Sequence, residues 1–223
     1  MKWQRFEQGW RLRPAAPRAG SLVVMLHGVG SNGRDLQPLA EAWEESLPGT
    51  AFASFDGGEP FDAGGDARQW FGLAGIDPAN RAQRVAAAWP ALAERLRSEL
   101  AFWQLPPERL ALVGFSQGSI MAMHHLATTP EAVGAVIAYS GRLASPIRAA
   151  GSAPLTLLHG VDDAVIPMAE SRAAEAAFRA AGFAVQLFEL DGLGHGISAA
   201  GAAHGLQALQ RALGEEGWPD VSK

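Results

Sequence analysis

The chain has 223 residues, 48% of them hydrophobic, and a formal net charge of -5 at pH 7. It contains no cysteine, which excludes disulfides, a thiolate nucleophile and cysteine-ligated metal centres, and its two lysines, Lys2 and Lys223, lie at the chain ends, where Schiff-base chemistry is not expected. The Gly-Lys-[Ser/Thr] triplet of a P-loop is absent and the acidic balance offers no basic surface for nucleic acid, so we expect neither an ATPase nor a DNA-binding protein.

We expect one domain spanning residues 1–223, because this length suits a single hydrophobic core. The first 20 residues contain no apolar run before a small-residue cleavage site, so we expect an arm or an edge hairpin there rather than a signal peptide. No stretch reaches the roughly 18 apolar residues that a membrane span requires. These features predict a cytoplasmic protein without a membrane span.

Short apolar runs alternate with amphipathic stretches along the chain. In chain order they predict strand Leu22–Leu26, helix Asp35–Glu45, strand Ala51–Phe55, helix Asn80–Trp103, strand Leu110–Phe115, helix Ser116–Thr128, strand Ala135–Tyr139, strand Leu155–Leu158, helix Met168–Ala181, strand Val185–Leu190 and helix Ser198–Leu213. Most of these strands are apolar nearly throughout, which is typical of strands covered by helices on both faces. The pattern predicts an α/β fold with a mostly parallel central sheet and functional groups at the carboxyl ends of its strands.

The segment 56–79 interrupts this regular alternation. It contains six glycines and two prolines around the pair Trp70 and Phe71. Segments of this length without regular structure are commonly lids or binding loops. We treat the segment as a candidate lid, and leave open whether the two rings line a substrate site or only pin the segment to the core.

The first motif is GVGSNG at residues 28–33, which follows a predicted strand and precedes a helix. It matches the G-x-G-x-x-G of dinucleotide-binding loops, in which the glycines approach a pyrophosphate and an acid binds the ribose hydroxyls. Asp56 follows the next strand, at about the 20-residue spacing expected of that acid. The motif therefore leaves open the hypothesis that the protein is a dinucleotide-dependent oxidoreductase. Its cofactor would be bound by Gly28, Gly30, Gly33 and Asp56.

The second motif is GFSQG at residues 114–118, which ends a strand and opens a helix. A serine at such a turn is typical of a nucleophile elbow, where flanking glycines allow a strained backbone and the hydroxyl of Ser116 projects from the sheet. The N–H of Gln117, at the start of the helix, would then point toward a developing oxyanion. The alternative is a serine that only caps the helix.

A serine nucleophile needs a base that an acid holds in place, and on this fold the order along the chain is serine, acid, histidine. Asp162 and Asp163 follow the strand Leu155–Leu158, and His195 follows the strand Val185–Leu190. The alternatives are two solvated loop acids and an exposed loop histidine. The other histidines are interpreted as turn, packing or surface residues: His27, His124, His125, His159 and His204.

Together these motifs resemble the carboxylesterase and phospholipase branch of the α/β-hydrolases, which includes acyl-protein thioesterases. The resemblance rests on LHGVGSNGRDL, WFG, GFSQGS, HGVDDAVIP and GLGHGIS, which span nearly the whole chain. It implies the α/β-hydrolase fold, with Ser116 as nucleophile, Asp163 as acid and His195 as base. It also implies an oxyanion hole formed by the backbone N–H groups of Val29 and Gln117, a role that accounts for the glycine-rich loop.

Three positions depart from the usual family pattern. Gly72 and Val161 stand where relatives commonly have Asp, and Ser119 stands where they usually have Gly. None of the three belongs to the proposed triad, although changes at Gly72 and Ser119 could reshape the acyl pocket.

We therefore expect a serine hydrolase of carboxylic esters or thioesters, with lysophospholipids also open, that works through an acyl-enzyme. The candidate residues for an apolar acyl wall are Trp70, Phe71, Ile166, Met168 and Ile197. The expected partner is a small-molecule ester or acyl substrate, with no metal, organic cofactor or nucleic acid, and a homodimer stays open. The rival hypotheses are the dinucleotide-dependent oxidoreductase and a non-catalytic ligand-binding protein on a hydrolase scaffold.

Overall fold

The computed structural model of the chain describes residues 2–62, 64–149 and 153–214. Its strands are β1 (Gln4–Phe6), β2 (Gly9–Leu12), β3 (Ser21–Leu26), β4 (Thr50–Phe55), β5 (Glu59–Pro60), β6 (Arg68–Gln69), β7 (Leu110–Phe115), β8 (Ala135–Tyr139), β9 (Leu155–Gly160) and β10 (Val185–Leu190). Its α-helices are α1 (Gln37–Trp43), α2 (Arg81–Trp103), α3 (Gln117–Thr128), α4 (Met168–Ala180) and α5 (Ala199–Leu213). The strands and helices expected from the sequence are all present.

Eight of the strands form one sheet, in the order β1-β2-β4-β3-β7-β8-β9-β10. The six strands from β4 to β10 in that order run parallel. β2 pairs antiparallel with β4, and β1 pairs antiparallel with β2, so residues 4–12 form a hairpin at one edge. The expectation of a mostly parallel central sheet is confirmed.

Helices cover both faces of this sheet. On one face, α1 and α5 contribute Trp43 and Leu209 to a buried apolar cluster. On the other face, α2, α3 and α4 contribute Val85, Met121 and Phe178 to a second cluster. Because β3, β4 and β9 are buried at every residue between these layers, their sequences are apolar with few interruptions.

The helix α2 shows how the spacing of apolar residues sets burial. Val85, Trp89, Leu92, Leu96 and Leu100 are all buried, and their spacing of three or four residues places them on one helical face. This face packs against α3. In the described part of the chain, no helix combines the length and the apolar character needed to cross a membrane.

The element boundaries differ from the sequence-based expectation by at most two residues. α1 begins at Gln37 rather than Asp35, with Pro38 in its first turn. Proline is tolerated there because the N–H groups of the first turn have no acceptor within the helix. β9 continues two residues beyond Leu158 and therefore includes His159 and Gly160, both of them buried. His159 is thus part of the sheet rather than of the loop that follows.

The segment 56–79 is more ordered than its glycine content indicates. β5 and β6 pair as a small antiparallel sheet, and Arg68 forms an isolated bridge with Ser31. Trp70 and Phe71 follow β6 and are only 4% and 3% exposed, within the core cluster that α2 and α3 share. Such burial is that of an anchor, and movement of the segment 56–79 as a lid stays a prediction. Contact between the two rings and a substrate stays a prediction.

Candidate active site

Ser116 occupies the turn between β7 and α3 with φ 54° and ψ -114°, a backbone conformation that residues with a side chain rarely adopt. Its N–H donates to the carbonyl of Tyr139 at 2.9 Å, and its side chain makes no capping bond to α3. Gly118 permits the tight turn, because a Cβ there would collide with the carbonyl of Leu26 at the end of β3. Ser116 therefore occupies the N-cap position of α3 but does not cap the helix through its hydroxyl.

The hydroxyl of Ser116 instead meets an imidazole. Nε2 of His195 lies 3.0 Å from Oγ of Ser116, and Nδ1 lies 2.7 Å from Oδ2 of Asp163. Because the carboxylate accepts at Nδ1, that nitrogen carries the proton and Nε2 is left as an acceptor for the serine hydroxyl. The three side chains come from the carboxyl ends of β7, β9 and β10 and form one hydrogen-bonded chain.

Asp163 is held by donors on both carboxylate oxygens. Oδ1 accepts from the backbone N–H groups of Val165 and Ile166 at 2.8 and 2.9 Å, while Oδ2 faces His195. Burial by itself would raise the pKa of the Asp163 carboxyl, but the hydrogen bonds from His195, Ile166 and Val165 outweigh burial and lower the pKa. The surroundings therefore favour the ionised form, which is the form that can orient an imidazole.

The loop that carries His195 packs against the loop that carries Asp163. The backbone N–H of Asp162 donates to the carbonyl of Leu193 at 3.0 Å, while the residue itself is exposed. Gly160 allows this close approach, because a Cβ at that position would collide with the Leu193 carbonyl. Of the two neighbouring aspartates, the structure brings Asp163 and not Asp162 to the imidazole.

The two backbone N–H groups expected to bind an oxyanion lie in the segments that follow β3 and β7. Gln117 is the first residue of α3, so its N–H has no acceptor within the helix. Val29 lies in the loop after β3, where Gly28 packs against the ring of Phe115. Within the described residues, the N–H of Val29 makes no hydrogen bond to the backbone. Both groups are thus available to a ligand.

The side chain of Asp56 binds the backbone of the glycine-rich loop at residues 28–33. Its Oδ1 accepts from the N–H of Gly33 at 2.8 Å, and its Oδ2 accepts from Nη1 of Arg5 at 2.6 Å. The carboxylate that a bound dinucleotide would need for its ribose is therefore engaged within the protein. A Cβ at Gly33 would also press on the carbonyl of Ser54, so this glycine serves close packing of the chain on itself. The dinucleotide hypothesis for this loop is not supported.

The sequence as a whole matches one family of hydrolases. The profile of the phospholipase/carboxylesterase family matches residues 12–210. The esterase YpfH of Escherichia coli strain K12 is 36% identical over 185 residues, which cover 80% of this chain and 77% of that protein. The chain belongs to the phospholipase/carboxylesterase family. It is a carboxylesterase-type hydrolase, as the resemblance of its motifs implies.

Further relatives agree with this assignment. Acyl-protein thioesterase 1 of Eremothecium gossypii is 27% identical over 208 residues, which cover 84% of this chain and 86% of that protein. The crystal structure of esterase PE8 superposes with a TM-score of 0.85 at 31% identity, covering 96% of this chain and 100% of that one. A Bacillus cereus carboxylesterase, 18% identical, shares the fold with a TM-score of 0.76, covering 91% of this chain and 92% of that one. The expected α/β-hydrolase fold is confirmed.

In this carboxylesterase-type hydrolase the side chain of Gln117 has a role that its motif does not reveal. Oε1 accepts a hydrogen bond from the N–H of Trp70 at 2.7 Å, and Nε2 donates to the carbonyl of Phe71 at 2.7 Å. Nε1 of Trp70 in turn donates to the carbonyl of His27 at 2.8 Å. The residue after Ser116 thus ties the segment 56–79 to the nucleophile turn. Local sequence patterns miss this contact because it spans 47 positions.

His159 shapes the turn after β9, as expected, and it also contacts the acid. It is fully buried, with Nε2 2.7 Å from the carbonyl of Ile166 and 3.2 Å from Oδ2 of Asp163. Its Nδ1 lies 2.6 Å from Oγ of Ser171 in α4. His159 therefore fixes both ends of the acid loop. The sequence signal for this role is its position at the head of the HGVDD motif.

The other histidines pack or stack, in agreement with their interpretation from sequence. Nε2 of buried His27 accepts from the N–H of Gly57 at 2.9 Å. His124 and His125 are buried on α3, and His204 stacks on Phe188 with 3.9 Å between ring centroids.

Three further residues of the expected acyl wall lie close in sequence to Asp163 or His195. Ile166 and Met168 follow the acid and are each 6% exposed. Ile197 follows His195, is half-buried, and packs at the rim of the cluster beneath α1 and α5. Their contact with an acyl chain stays a prediction.

Proposed function

We propose that this hydrolase cleaves carboxylic esters through an acyl-enzyme on Ser116. The observation that carries the proposal is the continuous hydrogen-bonded chain from the Ser116 hydroxyl through His195 to Asp163. His195 removes the hydroxyl proton at Nε2 as Oγ attacks the acyl carbonyl carbon. Asp163 stabilises the imidazolium that forms.

The negative charge that develops on the carbonyl oxygen is bound by the backbone N–H groups of Val29 and Gln117. His195 then gives its proton to the departing alcohol or thiol, and the acyl group stays on Ser116. A water molecule, deprotonated by His195, attacks this ester. The acid leaves, and the proton returns to the serine oxygen.

The surface around Asp163 is suited to an apolar acyl group. Val161 and Val165 lie on either side of Asp163 and are 37% and 64% exposed, although valine is usually buried. With Ile166 and Met168 they place four apolar side chains between the end of β9 and the first residue of α4. The similarity to an acyl-protein thioesterase supports thioesters as substrates beside carboxylic esters, and the family description supports lysophospholipids.

A fluorophosphonate probe tests the nucleophile, because only a base-activated serine next to oxyanion donors reacts with it rapidly. We expect peptide mapping to place the adduct on Ser116. Ser116→Ala should remain unlabelled, while Ser98→Ala, which changes an exposed serine of α2, should label like the unmodified protein. Labelling of another serine would contradict the assignment. A folded protein without label would favour the non-catalytic binding protein.

Rates on chromogenic esters of increasing acyl length, measured beside thioester analogues, test the substrate class. We expect kcat/KM to rise with acyl length, since each added methylene buries apolar area. A rate that falls steadily from the shortest ester onward would count against an apolar acyl wall.

A further inference from the structure

A cleft with a volume of about 540 Å³ lies next to the hairpin of β1 and β2, and residues that follow the carboxyl ends of β3 and β4 line it. Its lining includes four arginines, Arg5, Arg34, Arg68 and Arg95. Ser116 is not part of the lining. Asp56, which lines the cleft, directly follows β4, and β4 lies two strand spacings, roughly 10 Å, from β7. The cleft is therefore separate from the site around Ser116.

Arg95 reaches this cleft from α2 without a carboxylate partner. Its Nη1 donates to the carbonyl of Asp56 at 2.7 Å, and Nη2 donates to the carbonyl of Gln8. Both acceptors are neutral, and within the described residues the guanidinium forms no ion pair. Burial lowers the pKa of Arg95 to about 10, as expected for a cation whose charge is incompletely balanced.

Arg34 and Arg68 keep unused donors in the cleft. The guanidinium of Arg34 lies over the ring of Trp10, 4.8 Å from its centroid, and donates no hydrogen bond to any part of the chain that the structure describes. Arg68 uses only Nε, which donates to the carbonyl of Gly57 at 3.0 Å. Its two terminal nitrogens are available to a ligand.

The carboxylates around the cleft do not cancel these charges. Asp56 is already paired with Arg5 at 2.6 Å and accepts a bond from Gly33. Glu7 and Asp66 are exposed at the rim, where water solvates them. Three guanidinium groups thus line one cleft against two solvated carboxylates. A planar guanidinium carries paired N–H donors that match the oxygens of a phosphate or a carboxylate.

We propose that this cleft binds the phosphate group of a small molecule, with Arg34, Arg68 and Arg95 as its ligands. A tetrahedral phosphate presents oxygens to three guanidinium groups at once, whereas a planar carboxylate has only two oxygens to share among them. The rim carboxylates oppose the anion, so we expect a dissociation constant on the order of 1 mM. The assignment does not depend on the acyl-enzyme mechanism.

Bound phosphate would act on the proposed oxyanion loop through Arg68. The N–H of Arg68 donates to the carbonyl of Ser31 at 2.7 Å, and its carbonyl accepts from the N–H of Gly30 at 2.9 Å. These two residues follow Val29, whose N–H we assign to the oxyanion hole. The phosphate can come from a separate ligand or from an ester substrate that carries it, and the two sources differ in their kinetics.

Calorimetric titration with inorganic phosphate, at constant ionic strength kept with sodium chloride, tests the site. We expect saturable binding with one phosphate per chain, at least tenfold weaker in Arg34→Gln and intermediate in Arg34→Lys. Arg148→Gln, which changes an exposed arginine elsewhere, should bind phosphate like the unmodified protein. Melting temperatures of all variants confirm folding, which Arg34→Gln should keep because the Arg34 side chain makes no hydrogen bond to the described residues. Absent saturation in the unmodified protein, or equal affinity in Arg34→Gln and Arg148→Gln, would overturn the proposal.

Hydrolysis assays separate the two sources of phosphate. If the phosphate is a separate ligand, saturating inorganic phosphate should change kcat on a neutral chromogenic ester. If the substrate carries it, inorganic phosphate should raise KM only for esters that bear a phosphate group. Either pattern supports the site, whereas no effect on both kinds of ester would contradict any link to the reaction. Ser116→Ala should still bind phosphate, so the site is tested even where the acyl-enzyme mechanism fails.

Discussion

The side chain of Gln117 holds the backbone of Trp70, with Oε1 accepting the N–H of Trp70 at 2.7 Å. The same residue offers its own backbone N–H beside Ser116. The position of the oxyanion donor and the anchoring of the segment 56–79 are therefore coupled through one residue, because the peptide unit of Gln117 cannot shift without straining its side-chain contacts.

Gln117→Ala tests this coupling. It leaves the N–H of Trp70 and the carbonyl of Phe71 without partners in a buried place, at a cost of about 1 to 3 kcal/mol for each group. We expect a lower free energy of unfolding in urea together with a lower kcat. Gln207→Ala, at an exposed position of α5, is the matched control. Unchanged stability in Gln117→Ala would show that water replaces the lost bonds.

The two neighbouring aspartates should differ sharply in their effect on rate. Asp163→Asn removes the charge that orients the imidazole, and we expect kcat to fall by about 10³ to 10⁴, as in other serine triads. Asp162→Asn changes an exposed side chain and should cost about tenfold or less. Steady-state rates on one chromogenic ester decide the ranking, and the reverse order would exclude Asp163 as the acid.

Trp70→Ala should act mainly on stability. The side chain is 4% exposed and donates to the carbonyl of His27, so its removal should cost about 3 to 5 kcal/mol and lower the melting temperature. Phe102→Ala, at an aromatic residue that is 47% exposed, should have a much smaller effect. We expect the ratio of rates on short and long esters to stay nearly constant. Altered selectivity with an unchanged melting temperature would instead favour the lid interpretation.

The stability of the fold should decrease as the pH falls below neutrality. Burial lowers the pKa of His124 and of His125 to about 4 each, and in the unfolded chain both imidazoles titrate near ~6.5. Between these two pKa values the unfolded state therefore binds more protons than the folded state. The contribution of the two neutral histidines to the free energy of unfolding is complete above about pH 6.5 and is lost progressively toward pH 4.

Urea denaturation at several pH values checks this dependence. Burial also lowers the pKa of His27, which therefore adds its own pH dependence. The contribution of His124 and His125 is the difference in free energy of unfolding between the unmodified protein and a variant with His124→Gln and His125→Gln. That variant should show a flatter profile between about pH 5 and 6.5. The lowered pKa values of Asp56 and Asp163 act only at more acidic pH. Equal slopes for the two proteins would contradict the prediction.

Most strands and helices of this fold can be predicted from the sequence because local patterns of apolar residues specify them. The strands β3, β7 and β8 appear as apolar runs, since burial on both faces leaves few polar positions. The places of Ser116, Asp163 and His195 follow from one topological rule, that residues just after parallel strands share an edge. The structure brings these three side chains together as the motifs lead one to expect.

The remaining features depend on contacts that no local pattern encodes. The six glycines of the segment 56–79 predict irregular structure, so the sequence does not indicate the pairing of β5 with β6. The anchoring of Trp70 depends on Gln117, which lies 47 positions away. The sequence marks His159 only by its position at the head of the HGVDD motif, and it does not show whether the imidazole only shapes the turn or also contacts Asp163. The four arginines of the cleft come from four separate segments, so composition alone does not reveal it.

The distance along the chain between the three reacting side chains has a consequence for folding. Ser116 meets His195 across 79 positions, and Asp163 meets it across 32. Contacts between such distant segments form only after long loops have closed, and β10 is an edge strand whose residues are only partly covered. Helical signal can return during refolding before this last strand docks. We therefore expect recovered hydrolysis to follow the slowest refolding phase, so that activity reports completion of the sheet.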